Sequence, residues 1–234
     1  MNDKVTVLIP TFNCDNTLDR SIESVLNQTY NNIEIIVIND CSTDKTKNIL
    51  QKYNNNNIKI IHNSKNYGKF ISVNIGIQNS NGKYITILDS DDIFHYDKIR
   101  QQVTVFNLFE NCVANFHNIE IYNIDNNKKI RNIAEISIMF NKKIILNSVG
   151  YYHSNRFGSD TEFKDRLFKY FDKNRLININ KILYSAYKRE NSLTTSKLYG
   201  LNTMNRKFFE HNYKKWHLNT KNLYISFPMK DNIF

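Results

Sequence analysis

Val5-Thr6-Val7-Leu8-Ile9-Pro10-Thr11-Phe12-Asn13 opens the chain with a β-branched apolar run that turns abruptly polar. Five consecutive residues suited to a pleated, doubly covered surface predict a buried strand. It should stop at Pro10, which has no N–H to give a ladder. Working outward, Leu18, Ile22, Val25 and Leu26 recur at helical spacing, and Ile33 to Asn39 is a second strand-like run. Ser42 or Thr43 offers an N-cap for a helix carrying Ile49, Leu50 and Tyr53. Ile58 to Ile61 and Tyr84 to Leu88 read as further strands, separated by a helix with Ile71, Ile75 and Gln78 on one face. Strand alternating with helix at this spacing predicts an α/β fold with a mostly parallel, Rossmann-like sheet flanked by helices. Ligands of such sheets bind at the carboxyl ends of the strands, which singles out the residues after Ile9, Ile38 and Leu88.

Beyond residue 100 the pattern loosens. Ile99, Val103 and Phe106 suggest a helix, Val113 to Ile124 a strand ending in a turn at Asp125 to Lys128, and Asp160 to Phe171 a helix burying Phe163, Leu167 and Phe171. Asn202 to Trp216 reads as a basic helix. The 234 residues suffice for one large domain, and 6 Gly and 2 Pro exclude collagen-like and linker-like chains. No apolar run approaches the length of a membrane span, and Met1 to Lys4 leads directly into the first strand without a signal-peptide pattern. Three cysteines, Cys14, Cys41 and Cys112, with no CxxC pair argue against a disulfide framework or a zinc ribbon, so a reducing, cytoplasmic setting is expected. With 32 Lys+Arg against 22 Asp+Glu the formal charge is +10, which suits anionic ligands or a lipid surface, although a solvated basic face is the plainer reading. The lysines form no compact nucleic-acid motif, and the acidic stretch described next would repel a phosphate backbone without a cation.

That stretch is Leu88-Asp89-Ser90-Asp91-Asp92, three carboxylates in four positions just past an apolar strand. Asp89 and Asp91 fall on the same side of an extended segment, and hard divalent ions such as Mg2+ or Mn2+ take one or two carboxylates plus substrate phosphates. The plainer reading makes Asp91 or Asp92 the N-cap of the following helix. Asp40, after the second strand, is placed to accept a hydrogen bond from a base N–H. Pro10, Thr11 and Asn13 offer backbone and side-chain groups to a ribose or base. Asn66-Tyr67-Gly68-Lys69 precedes a helix, with Lys69 in reach of a phosphate and Gly68 at a turn. Each of these residues also has an ordinary role as a cap, turn or solvated side chain. Four polar clusters on one sheet edge weigh against chance.

Together, Val7 to Asn13, Asn39-Asp40-Cys41-Ser42-Thr43-Asp44, Asn66-Tyr67-Gly68 and Asp89-Ser90-Asp91 resemble the family 2 glycosyltransferases of GT-A fold, across roughly residues 5 to 100. The resemblance implies a nucleotide-diphospho-sugar donor, usually a UDP-sugar, a divalent cation (Mn2+ or Mg2+) and inversion at the anomeric carbon. By it, Thr11 and Asp40 contact the nucleoside, Asp89 and Ser90 lie at the donor and metal, and Asp91 is the main metal ligand. Cys41 stands where the family often has Gly. Arg156-Phe157-Gly158-Ser159-Asp160-Thr161-Glu162-Phe163 resembles the family's acidic acceptor-side motif, with Ser159 replacing the first acid and Asp160 at the catalytic acid, Glu162 being the lesser candidate. The alternative role for Asp160 is a helix cap. Tyr187 to Thr194 resembles a late segment near the donor phosphates, which puts Arg189 at the diphosphate. The expected organisation is a nucleotide-sugar half (1–110), an acceptor half of the same domain (111–200) and a C-terminal helical extension (201–234). The acceptor is a glycan, lipid-linked or protein hydroxyl. Phe208, Phe209, Tyr213 and Trp216 would hold an acceptor, a peripheral membrane surface, a second copy in a homodimer, or the main domain. Two rivals remain: a binding protein that kept the donor pocket but lost turnover, and a sugar-1-phosphate nucleotidyltransferase. The second should carry a Gly-rich loop after the first strand, where Pro10 to Cys14 has no glycine.

Overall fold

The computed structural model describes residues 2–53, 58–122, 128–131, 135–188, 198, 200 and 202–229. Four parallel strands form its first half: β1 (Val5–Thr11), β2 (Ile33–Asn39), β3 (Ile58–His62) and β4 (Tyr84–Ile87), in spatial order β3-β2-β1-β4. Helices α1 (Leu18–Leu26), α2 (Thr46–Gln51) and α3 (Lys69–Gln78) make the crossovers. The rest of the chain extends the same sheet through β5 (Ile93–Phe94), β6 (Ala114–Tyr122), β7 (Lys128–Arg131), β8 (Met139–Asn141) and β9 (Leu176–Tyr187). β8 runs antiparallel to β4, β6 pairs with β8 and, in parallel, with β9, and β5 closes the order beside β9. The remaining helices are α4 (Lys98–Leu108), α5 (Lys142–Ser148), α6 (Ser159–Tyr170) and α7 (Met204–Asn219).

Strand alternation divides the core into two layers. Val5, Val7, Ile9, Ile35 and Val37 face α1, α2 and α4 through Leu18, Ile22, Val25, Leu50, Ile99 and Val103. Leu8, Ile36 and Ile38 face α3, α5 and α6 through Phe70, Val73, Ile77, Ile145, Phe163 and Leu167. Each such side chain contributes about 1.5–3 kcal/mol on full burial, and this double cover holds the strand ends in register.

Through residue 90 the elements follow the sequence reading, with local differences, whereas β5, β8, α5 and the long strand β9 have no counterpart in it. β1 continues through Pro10 to Thr11, because β4 pairs only as far as Leu8 and the missing proline N–H faces no ladder on that side. α2 starts at Thr46, where the Thr46 N–H donates to Asp44 Oδ1, while Ser42 and Thr43 bind Asn13 instead of capping a helix. α3 buries Phe70, Val73 and Ile77, and Ile71 and Ile75 are only half-covered. Its Asn74 is also fully buried, exchanging two hydrogen bonds with the Tyr152 main chain. The cap of α4 is Asp97, so neither Asp91 nor Asp92 serves there. Of the turn proposed at 125–128, only Lys128 lies among the described residues, and it opens β7, which pairs antiparallel with β6.

Candidate active site

The carboxyl ends of β1, β2 and β4 bring Thr11, Asn39-Asp40 and Leu88-Asp89 to one edge of the sheet. Asp40 is buried and its carboxylate organises the neighbouring turn: Oδ1 accepts from Asn63 Nδ2 (2.8 Å) and the Tyr67 N–H (2.9 Å), and Oδ2 from the Gly68 N–H (2.7 Å). Gly68 sits at φ 95°, where an L side chain is strained, and a β-carbon there would come within 3.2 Å of Arg156 Cγ. Asn66 is taken by that same arginine, whose Nη1 donates to its Oδ1 (2.8 Å) and Nη2 to its carbonyl (2.7 Å). At the end of β1, Asn13 (φ 51°) receives the Thr43 N–H on Oδ1, and Pro10 is a buried strand residue. Thr11 Oγ1 is buried and has no hydrogen-bond partner among the described residues.

Cys41 takes a left-handed backbone, φ 64°, which explains why glycine is frequent there in the resembling family. A β-carbon in that region costs about 1–2 kcal/mol, against about 0.5–1 kcal/mol for glycine's extra freedom in the unfolded chain. Cys41→Gly is therefore expected to raise the urea midpoint modestly. A lower midpoint would show that the thiol, 3.9 Å from the Ser64 carbonyl, more than compensates the strain.

The acidic loop is held from two sides. On one side α1 grips its main chain: Thr17 Oγ1 donates to the Ser90 carbonyl (2.9 Å), Arg20 Nη2 to that of Asp91 (2.7 Å) and Ser21 Oγ to that of Asp92 (2.8 Å). On the other, β9 takes Asp92: the Tyr184 hydroxyl donates to Oδ2 (2.7 Å) and the Tyr187 N–H to Oδ1 (2.8 Å). Burial, with Asp91 and Asp89 beside it, pushes the Asp92 carboxyl well above the usual carboxylate range. Ser90 is buried and its hydroxyl donates to Cys14 Sγ, so its side chain points into the core. Asp89 and Asp91 are partly exposed. Lys69 Nζ lies 2.6 Å from Asp89 Oδ1 and 2.7 Å from Oδ2. Burial would depress the lysine, but Asp89, then Asp160, outweigh it and raise its pKa.

Asp160 lies in the first turn of α6, after Gly158, which occupies the cap position at φ 72°; Asp160 is therefore not the N-cap. It is half-buried, and Oδ1 accepts from the Thr161 N–H. Its charge, like that of Asp89, bears on both Lys69 and Tyr152. Glu162 is committed elsewhere: fully buried, it binds Arg166 (Nη2 to Oε2, 3.0 Å) and His217 (Nε2 to Oε1, 3.0 Å). Arg189 lies outside the described residues.

Thr17, Arg20, Ser21, Asn63, Arg156 and Tyr184 were not singled out by sequence. Only Asn63 carried a signal, since it follows β3 as Asp40 follows β2. The polar face of α1 resembles any solvated helix face until the loop it grips is seen.

Among the described residues no cluster of three or more His, Cys, Asp or Glu forms an all-protein metal cage. The oxygen-only donors of Asp91 and Asp89 fit a hard divalent ion that completes its coordination with phosphates and water. No helix among the described residues is long and apolar enough to cross a membrane.

Comparison with known proteins agrees with this arrangement. Glycosyltransferase GlyA of Streptococcus pneumoniae is 37% identical over 100 residues, 42% of this chain and 14% of that protein. The matched segments span 14 to 50% of the curated relatives' own lengths. The crystal structure of S. aureus TarS 1-349 in complex with UDP-GlcNAc superposes with a TM-score of 0.69 at 18% identity, covering 81% of this chain and 60% of that one. The mannosyltransferase PcManGT from Pyrobaculum calidifontis, solved with GDP-Man and Mn2+, gives 0.61 at 14% identity over 92% of this chain and 62% of that one. These likenesses show the GT-A fold. The family model described as Glycosyl transferase family 2 matches residues 6–222, nearly the whole chain, and the protein therefore belongs to that family.

Proposed function

We propose that this chain transfers a sugar, with inversion, from a UDP-sugar to an acceptor hydroxyl, using a divalent cation. The observation that carries the reading is the convergence of Thr11, Asp40 and Asp89 at one sheet edge, with Lys69 Nζ 2.6 Å from Asp89 Oδ1, which suits a nucleoside and its diphosphate side by side. The nucleoside lies along Pro10, Thr11, Asn13 and Asp40. A carboxylate offers about four acceptor positions and Asp40 uses three internally, which leaves one on Oδ2 for a base N–H. Asn66 and Gly68 shape that pocket through their main chain, Lys69 lies beside the diphosphate, and Arg189 would add a second cation. The ion, held by Asp91 and Asp89, supplies electrostatic stabilisation of the charge that builds on the leaving diphosphate. An Asp160 carboxylate oxygen takes the acceptor hydroxyl proton as that oxygen attacks from the face opposite the leaving group. TarS was solved with UDP-GlcNAc, which supports a UDP donor here. The acceptor is a glycan, lipid-linked or protein hydroxyl, with residues 111–200 forming its side of the cleft.

Nucleotide-sugars screened by thermal shift with Mn2+ test the reading, because a ligand that binds only the folded state raises the melting temperature. UDP-sugars should stand out, and no shift with any of them would refute the assignment. Asp91→Ala should remove the dependence of donor binding on Mn2+ or Mg2+. Calorimetry showing the same metal dependence as the parent would take Asp91 out of the site.

A further inference from the structure

We propose that Arg156 is a positioning residue: it clasps the donor-side turn at Asn66–Gly68 to the loop that carries Asp160, and so sets the distance across the reaction cleft. The inference rests on the function proposed above but assigns a role to a residue outside that mechanism.

The clasp is two-pronged, with Nη1 on Asn66 Oδ1 at 2.8 Å and Nη2 on the Asn66 carbonyl at 2.7 Å. Its stem lies against Gly68, where an added β-carbon would meet Arg156 Cγ at 3.2 Å. The turn it grips is held from behind by Asp40 through the Tyr67 and Gly68 N–H groups, so it is stiff where it is grasped. The other end is equally firm. Asn155 accepts the Arg156 N–H on Oδ1 and donates Nδ2 to the Phe157 carbonyl, and Ser159 Oγ returns to the Asn155 carbonyl. Phe157 is buried edge-on against Phe209 of α7. Only Phe157, Gly158 and Ser159 separate the arginine from Asp160.

Two stiff units joined by a forked cation transmit position, and a planar guanidinium fixes direction as well as distance. Misplacing a reacting group by about 1 Å can cost about 10²-fold in rate. The proposal therefore predicts an effect on turnover rather than on donor affinity.

The test uses the full chain, Mn2+ and whichever UDP-sugar the parent turns over, with UDP release as the rate and UDP binding by calorimetry as the affinity. Arg156→Ala should lower kcat at least tenfold while Kd for UDP changes less than threefold, with a melting temperature close to the parent's. Arg156→Lys, which keeps the charge but loses the fork, should not restore the rate. Asn66→Ala should lower kcat too, and adding it to Arg156→Ala should cost less than the sum of the two, since coupled residues are non-additive. An unchanged kcat, a loss confined to Kd, or full rescue by lysine would overturn the clasp. A parent that releases no UDP from any UDP-sugar would refute the proposed function itself, and the clasp would fall with it.

Discussion

Asp160→Asn should slow sugar transfer by about 10²–10⁴-fold, the usual contribution of a positioned general base, and leave UDP-sugar binding close to the parental value. The amide keeps the shape of the side chain and can still accept the Thr161 N–H, so the first turn of α6 stays formed. What it loses is the capacity to take a proton. Since Gly158 holds the cap position, loss of a helix cap cannot account for a fall in rate. Steady-state UDP release with calorimetry on the same sample separates the two quantities. Transfer at the parental rate would remove Asp160 from the chemistry, and an equal loss of affinity would make it a donor ligand.

The largest effect on stability is expected two residues further along. Glu162 and Arg166 are both fully buried and paired across one turn, and His217 brings α7 onto the same carboxylate. Removing one member of a buried pair leaves an uncompensated charge and costs about 3–5 kcal/mol, so Glu162→Ala should lower the urea midpoint severely. The guanidinium has other partners in the Val149 and Tyr151 carbonyls, but neither neutralises it. Burial pushes the Glu162 carboxyl up, yet Arg166 and then His217 outweigh it and hold its pKa below 4.5. The sign follows from that depression. The pair's contribution is complete above pH 4.5 and is lost as pH falls through the lower folded value. The parent should therefore lose stability on that acid limb, and the alanine variant should show a shallower one. Equal acid slopes in both would mean that Glu162 is not the group responsible.

The alternation that made the fold readable is a property of buried strands. Runs such as Val5 to Ile9 and Ile35 to Ile38 are largely apolar because both faces are covered, so a purely local pattern reported a global arrangement. The strand-end rule then located Thr11, Asp40 and Asp89 without any knowledge of contacts. Readability failed where meaning depends on a partner far away in the chain. Asn74 looks like a polar interruption of a helix until Tyr152 is seen to satisfy it. Glu162 and Asp160 are two acids in one turn, and only the structure shows Glu162 bound to Arg166 and His217 while Asp160 stays half-buried. Arg156 gave no sign that it would reach back 90 residues to Asn66.

The grip of α1 on three successive carbonyls carries a consequence for how this cleft works. With its peptide dipoles tied to a packed helix, and Asp92 anchored to β9, the acidic loop behaves as a fixed anvil. Under the proposed function an incoming nucleotide would have to conform to it. Any adjustment that accompanies capture would then be left to side chains, above all the Lys69 ammonium, which would exchange its Asp89 partner for phosphate oxygens.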